Sequence, residues 1–318
     1  MAVQKRTGVV GTKRMRAGVD IGKAQSVEWP TILVAIAIYT SFGLLTWFHQ
    51  AIPTVLLILA GGYVVAWQGS LQHEVVHGHP TRWSLVNRLL VFPSLWLWLP
   101  YEIYRDQHLR HHRDPYLTDP IEDPESFYVT PAQWQNLSAF GKALRRANNS
   151  LLGRLLLSPL LCCWSLYSTL LRHGPNAVGS PRIWAVHLLS VALVLGWVMA
   201  VCGMSFWVYL LCFAYPGMAL TSLRSFLEHR AADEAAERTA IVEAEAPLAL
   251  MFLNNNLHVV HHEAPWLPWY AIPRRYREQR DRILADNGGY LFHGYWDVAR
   301  RYLLRPKEPV VHPQRQSV

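Results

Sequence analysis

The sequence predicts an all-α membrane protein with four transmembrane helices in two hairpins, and three observations carry that reading. Four apolar stretches, 31–48, 51–67, 183–201 and 204–223, are each close to the roughly 20 residues that cross a bilayer core, and short breaks join them in pairs. The chain is 51% hydrophobic and only 16% charged, too little charge for a typical soluble enzyme. Eight histidines crowd into HEVVH, HLRHH and HVVHH, all outside the centres of the apolar stretches. Fourteen tryptophans and fourteen tyrosines suit a chain with two membrane–water interfaces to anchor.

Taken in order, residues 1–30 form a basic tail whose Lys5, Arg6, Lys13, Arg14, Arg16 and Lys23 should stay cytoplasmic, and it lacks the apolar core of a secretory signal. The first hairpin, 31–79, turns near Gln50, and its second helix continues over 64–79 to lift His73 and His77 above the membrane. Within 80–182, the stretch 85–100 reads as an interfacial or re-entrant element. A helix over 101–113 carries the second cluster and stops before Asp114-Pro115, because a residue preceding proline disfavours helix. The proline-punctuated run 118–126 is a structured loop, and the apolar 151–171 with Arg154 near its start is a helix lying along the membrane surface.

The second hairpin, 183–229, turns at Gly203, with His187 facing a neighbouring helix or lying near the end of its span. Segment 230–304 follows on the cytoplasmic side. There 248–262 reads as helix despite the polar run Asn254, Asn255, Asn256, and 274–282 is a charged stretch facing the cytoplasm. The end, 305–318, reads as a loose tail. Cys162, Cys163, Cys202 and Cys212 match no metal-binding spacing and read as packing residues. The net charge of +8 is spread over tails and loops without a zinc-finger or RNP-like pattern. Nucleic acid is therefore excluded as a partner in favour of an anionic membrane surface.

Two spans return the chain to the cytoplasm before His73, and the second hairpin returns it before His229, so every cluster falls on one side. Imidazoles at i, i+3 and i+4 share one helix face and can aim at a common point, and neutral imidazole is a good ligand for iron, zinc, copper or nickel. His73, His77, His108, His111, His112, His258, His261 and His262 are the candidate ligands, with His229 a ninth. So many ligands exceed one tetrahedral zinc and point to two metal ions. Taken alone, His73, Glu74 and His77 also satisfy the HExxH pattern of a zinc metalloprotease, but that reading leaves both HxxHH clusters unused.

The three clusters, in this order and with paired apolar hairpins, resemble the histidine boxes of the integral-membrane fatty acid desaturase and hydroxylase superfamily. The resemblance spans roughly residues 72–262, and NNLHVVHH with the following APWLPWY is similar to the bacterial desaturases. It implies a four-helix membrane domain beneath a cytoplasmic helical cap holding two non-haem irons, in a bacterial inner membrane with both termini cytoplasmic. It makes the eight box histidines ligands and His229 the additional one. O2 is the expected co-substrate, a fatty acyl or related lipid chain the substrate, and introduction of a double bond the expected reaction. Diiron hydroxylation or ketolation of a lipid, alkane or carotenoid is the alternative, and a non-enzymatic metal-binding membrane protein trails. Glu74 stands where many acyl desaturases have aspartate, whereas the longer hydroxylase patterns are missing from the second and third boxes, so desaturation leads.

No catalytic side chain beyond the metal ligands is expected. Polar candidates to orient them are Glu74, Asp114, Asp119, Glu228, Asn254 and Asn256, with Asp123 and Glu125 as further acceptors. Trp67, Trp83, Trp96, Trp98 and Tyr101 are candidates to line an apolar substrate groove. No flavin, haem or iron–sulfur motif is visible. Electrons are therefore expected from an external donor such as a ferredoxin or cytochrome, docking on Arg274, Arg275 and Arg277.

Overall fold

The computed structural model of the chain describes residues 26–112 and 114–313, with the side chain of Asp114 also outside the description. The basic positions before Ser26 therefore lie outside the described residues. Five helical segments are long and apolar enough to cross a membrane: Trp29–Trp47, Thr54–Val76, Leu151–His173, Pro181–Val201 and Phe206–Glu228. The protein is thus all-α and multiply membrane-spanning.

Helix α1 (Trp29–Trp47) carries Pro30 in its first turn, where a missing N–H costs nothing, and α2 (Thr54–Val76) begins directly after Pro53. Helix α2 stops at Val76 rather than reaching residue 79, because Gly78 adopts φ 91° and turns the chain away. After α3 (Ser84–Leu90), an irregular stretch, 91–100, leads into α4 (Tyr101–His111), which carries the second histidine cluster. Helices α5 (Pro131–Asn136), α6 (Ala139–Asn148) and α7 (Leu151–His173) each start on a hydroxyl cap, from Thr130, Ser138 and Ser150.

Helix α8 (Pro181–Leu195) is capped by Ser180 and runs on through a π-helical Gly196–Val201 to the tight turn at Gly203, φ 64°. The return leg is α9 (Phe206–Tyr209), a π-helical Leu210–Ala214 and α10 (Tyr215–Glu228). Helices α11 (Leu248–Met251), α12 (His258–Glu263), α13 (Ile272–Asp286) and α14 (Gly294–Tyr302) build the cap, where β1 (Ile241–Val242) pairs in parallel with β2 (Leu291–Phe292).

Two sequence expectations need correction here. Residues 248–262 are not one helix: Leu253 and Asn254 take φ of 49° and 57°, which breaks the run between α11 and α12. The described part of 305–318 is not loose. Val129 and Val311 form a parallel bridge, Lys307 Nζ donates to the His229 carbonyl at 2.7 Å, and the buried His312 pairs with Thr118 at 3.2 Å.

The membrane core closes where α2 meets the return leg. A Cβ on Gly61 would sit 2.4 Å from the Cys212 carbonyl oxygen, and one on Gly217 would sit 2.4 Å from Val65 Cγ1, so glycine is what lets these backbones approach. Phe42, Tyr209 and Phe213 fill the centre, with Phe42 edge-on to both other rings at 6.2 Å.

The irregular stretch 91–100 is folded in among these helices, where bare backbone would be costly. Its carbonyls, and that of Leu90 just before it at the end of α3, are taken one after another by side chains. Tyr39 donates to Leu90, Ser190 to Phe92, Gln68 to Pro93, Tyr209 to Leu95, His187 to Leu97 and Tyr167 to Trp98. Those donors come from α1, α2, α7, α8 and α9. His187 therefore faces this irregular stretch rather than a neighbouring helix.

Candidate metal centre

All nine candidate histidines meet at the top of α2 and α10. His73 sits in the last turn of α2 and His77 caps it, so their rings project from the end of the span. Helix α4 brings His108 and His111 on one face, with His112 at its C-cap. Short α12 supplies His258, His261 and His262. His229 lies just past α10 in extended conformation, φ −134° and ψ 152°, and an antiparallel bridge to Thr239 holds it there.

The rings sort into two groups. His73, His77, His108, His112 and His261 form one, and His111, His229, His258 and His262 the other; within each, one nitrogen per ring lies within 4.8 Å of all the rest. In the first group the Nε2 atoms of His77 and His108 are 3.1 Å apart, those of His108 and His112 3.0 Å, and those of His112 and His261 2.9 Å. In the second, His229 Nε2 lies 3.0 Å from both His111 and His258, and His258 Nε2 lies 3.2 Å from His262.

This convergence is a chemical statement. Several neutral imidazoles cannot all satisfy one another across Nε2–Nε2 contacts, because each such contact needs one donor and one acceptor. A cation with metal–nitrogen bonds of about 2.1 Å would place neighbouring donors about 3 Å apart. The donor set therefore fits two metal ions, one per group.

The outward nitrogens are fixed by hydrogen bonds, which settles which nitrogen turns inward. His108 Nδ1 is 2.9 Å from Glu125, His111 Nδ1 is 2.9 Å from Asp123, and His258 Nδ1 is 2.9 Å from the amide oxygen of Asn255. Glu228 lies 3.5 Å from His258 Nδ1 and 2.8 Å from Arg224. Burial holds His112, His229, His258 and His261 well below the ordinary histidine range, keeping their lone pairs available. His111 differs: burial disfavours its cation, but Glu125 and Asp123 outweigh that and push it up to about 9.

The polar residues that the sequence nominated as orienting groups divide accordingly. Asp123 and Glu125 touch ligands, whereas Asp119 closes its own loop by accepting from the Ile121 and Glu122 amides. Of the three asparagines Asn255 reaches the imidazoles, and its amide nitrogen is also 3.3 Å from His73 Nε2. Asn254 donates to the Trp269 carbonyl and Asn256 to that of Val242. Only the positive φ at Leu253 and Asn254 decides which asparagine turns inward, and composition does not show that.

Glu74 stands 3.8 Å from His73 Nδ1, and its other oxygen accepts from the Trp269 amide at 3.1 Å. It ties down the 264–270 loop, and His73 and His77 join three further imidazoles, which is not a zinc-protease arrangement. Lys307, which sequence reasoning missed, holds the carbonyl of His229.

A cavity of about 970 Å³ opens beside the second group. Its wall includes Glu125, Glu228, His229, Trp96, Trp98 and Tyr104. Of the aromatic groove candidates, Trp96 and Trp98 line it. Trp67, Trp83 and Tyr101 do not: Trp67 packs in the core, Trp83 is half-exposed beneath Arg82, and Tyr101 packs against the membrane core.

Against known families, residues 46–295 match the model of a family described as fatty acid desaturase. Comparison with the curated proteins gives no match.

Proposed function

The chain belongs to the fatty acid desaturase family, and from that premise we propose that it is an O2-dependent membrane desaturase that introduces a double bond into a lipid acyl chain at a pair of irons. That it is a membrane enzyme of the desaturase and hydroxylase family with a histidine-rich dimetal site follows from the family match and the two imidazole groups. The observation that carries the reading further is that the nine rings divide into a five-membered and a four-membered set, with His229 of the second in the wall of a lipid-sized cavity.

When bound, the two irons would supply the oxygen-derived oxidant that an unactivated methylene requires, since no acid or base can remove its hydrogen. What the chain itself contributes is placement. His73, His77, His108, His112 and His261 would hold one ion and His111, His229, His258 and His262 the other. Asp123, Glu125 and Asn255 keep the rings turned inward, and Trp96, Trp98 and Tyr104 give a substrate chain an apolar wall. The sequence shows no flavin, haem or iron–sulfur motif, and a ferredoxin- or cytochrome-like donor would supply the electrons at the exposed face of α13.

Four spans in two hairpins, with the histidines and both termini cytoplasmic, is the topology we favour over five spans. Both ends of α7 support it. Near its start, Leu152 donates to the Leu303 carbonyl in the cap; beyond its end, Gly179 packs against Ile103 of α4. A fifth crossing would also put α12 on the face opposite the end of α2, whereas His261 of α12 shares one group with His73 and His77 of α2.

The test is metal content and product mass on the purified, iron-reconstituted protein with a chemical reductant and mixed bacterial lipids. Two irons per chain and products lighter by two hydrogens are expected. Products heavier by one oxygen would make it a hydroxylase instead, and a single zinc would end the proposal.

A further inference from the structure

Acidic, basic and imidazole side chains line the cavity, and most are already matched. Asp123 is matched by His111, Glu125 by His108, Arg224 by Glu228, and Lys307 by Glu308. Arg154 is not. It is only 4% exposed, its Nε donates to the Asn148 carbonyl at 3.1 Å, and its Nη1 has no hydrogen-bond partner. Its guanidinium lies 3.5 Å above the Phe127 ring and 5.5 Å from that of Phe226. Aromatic faces relieve part of the cost of a buried cation but leave its N–H groups without acceptors.

The position of Arg154 gives that group a purpose. Residues 154, 158, 161, 165 and 168 of α7 all line the cavity, at the spacing of one helix face. Arg154 stands at the cap end of this face. Leu166, also in the wall, is about 18 Å further along the helix and close to Trp98, whose carbonyl Tyr167 holds. The cavity thus has a charged end near the metal centre, where Arg154 lies, and a more apolar end beside the 91–100 stretch.

We propose that Arg154 seats the anionic head group, a carboxylate or a phosphate, of the lipid whose chain occupies this cavity. The inference deepens the function proposed above and rests on that reading for the identity of the cavity as a substrate site. A guanidinium offers the planar pair of N–H donors that matches either anion.

Binding of dodecanoate, dodecyl phosphate and dodecanol to the purified full-length protein, by calorimetry in a non-ionic detergent, tests it without requiring turnover. At least one of the anions is expected to bind about tenfold to a hundredfold tighter than the alcohol, the worth of a charge-assisted hydrogen bond. Which of the two does so identifies the head group. Arg154→Gln should erase the preference while dodecanol affinity stays within about twofold, and Arg154→Lys should keep part of it.

Equal affinity of the wild type for all three ligands overturns the proposal, and so does an Arg154→Gln protein that still prefers the anion. If Arg154→Gln does not fold, the wild-type comparison decides alone. A protein that prefers anions but modifies no lipid would overturn the proposed function and leave this site standing.

Discussion

At His108 and His111 a carboxylate on Nδ1 leaves Nε2 as the only nitrogen free to face inward, through Glu125 and Asp123 at 2.9 Å each. Loss of such partners typically weakens metal binding tenfold to a hundredfold. Glu125→Gln and Asp123→Asn should therefore fold but release metal to a chelator at concentrations that leave the wild type loaded, as read by metal content after dialysis. The effect should split by group, with Glu125→Gln acting on the five-histidine set and Asp123→Asn on the four-histidine set. Lys307 acts one step further away, through the backbone of His229. Lys307→Met keeps the bulk and removes the donor. It should cost about 1.5–3 kcal/mol of stability, the scale of a hydrogen bond from a charged group, and lower the metal count from two towards one. Unchanged metal content in that variant would show that the Thr239 bridge alone holds His229.

At the scale of elements, what sequence discloses depends on whether a pattern is local. The box histidines were legible because i, i+3, i+4 spacing is a property of a helix face, and the spans because hydropathy needs no partner. The asparagine run was misread, since a left-handed break at Leu253 and Asn254 separates α11 from α12; asparagine adopts that conformation readily, but nothing local shows which of the three does so or that Leu253 joins it. Helix α7 shows the same limit: the sequence marks it as a surface helix with Arg154 near its start, yet Arg154, Ser158 and Ser165 line a cavity that segments distant in the chain, α4 and α10 among them, close. The 91–100 stretch is the least local element of all, since its acceptors are matched from four helices. Tyr209 is fully buried and donates to Leu95 at 2.6 Å. Tyr209→Phe preserves shape and strands that carbonyl, so it should cost about 1–3 kcal/mol. Thermal unfolding in detergent would register this, and a variant as stable as wild type would mean the stretch can pair its backbone elsewhere.

For the whole molecule, the arrangement of spans decides where the chemistry happens. Helices α2, α4 and α12 and the residue after α10 place their histidines at one level, so the proposed two-hairpin topology puts the turns at His49–Ala51 and Gly203 on the opposite side. Native Cys202, half-buried beside the second turn, is a ready reporter once Cys162, Cys163 and Cys212 are replaced by serine. In that background Asp281→Cys, on exposed α13, reports the cap side, and Leu171→Cys, 85% exposed near the end of α7, reports where that helix finishes. A maleimide that does not cross membranes, applied to sealed vesicles of each orientation, should label Cys202 from one side and position 281 only from the other. If α7 lies along the cap face, position 171 is labelled with 281. Labelling of position 171 together with Cys202 would mean that α8, which runs between them, does not cross, and would put the start of α8 on the side opposite the histidines. That outcome contradicts the Gly179 contact with α4, because α8 begins two residues later and cannot stand on both faces at once.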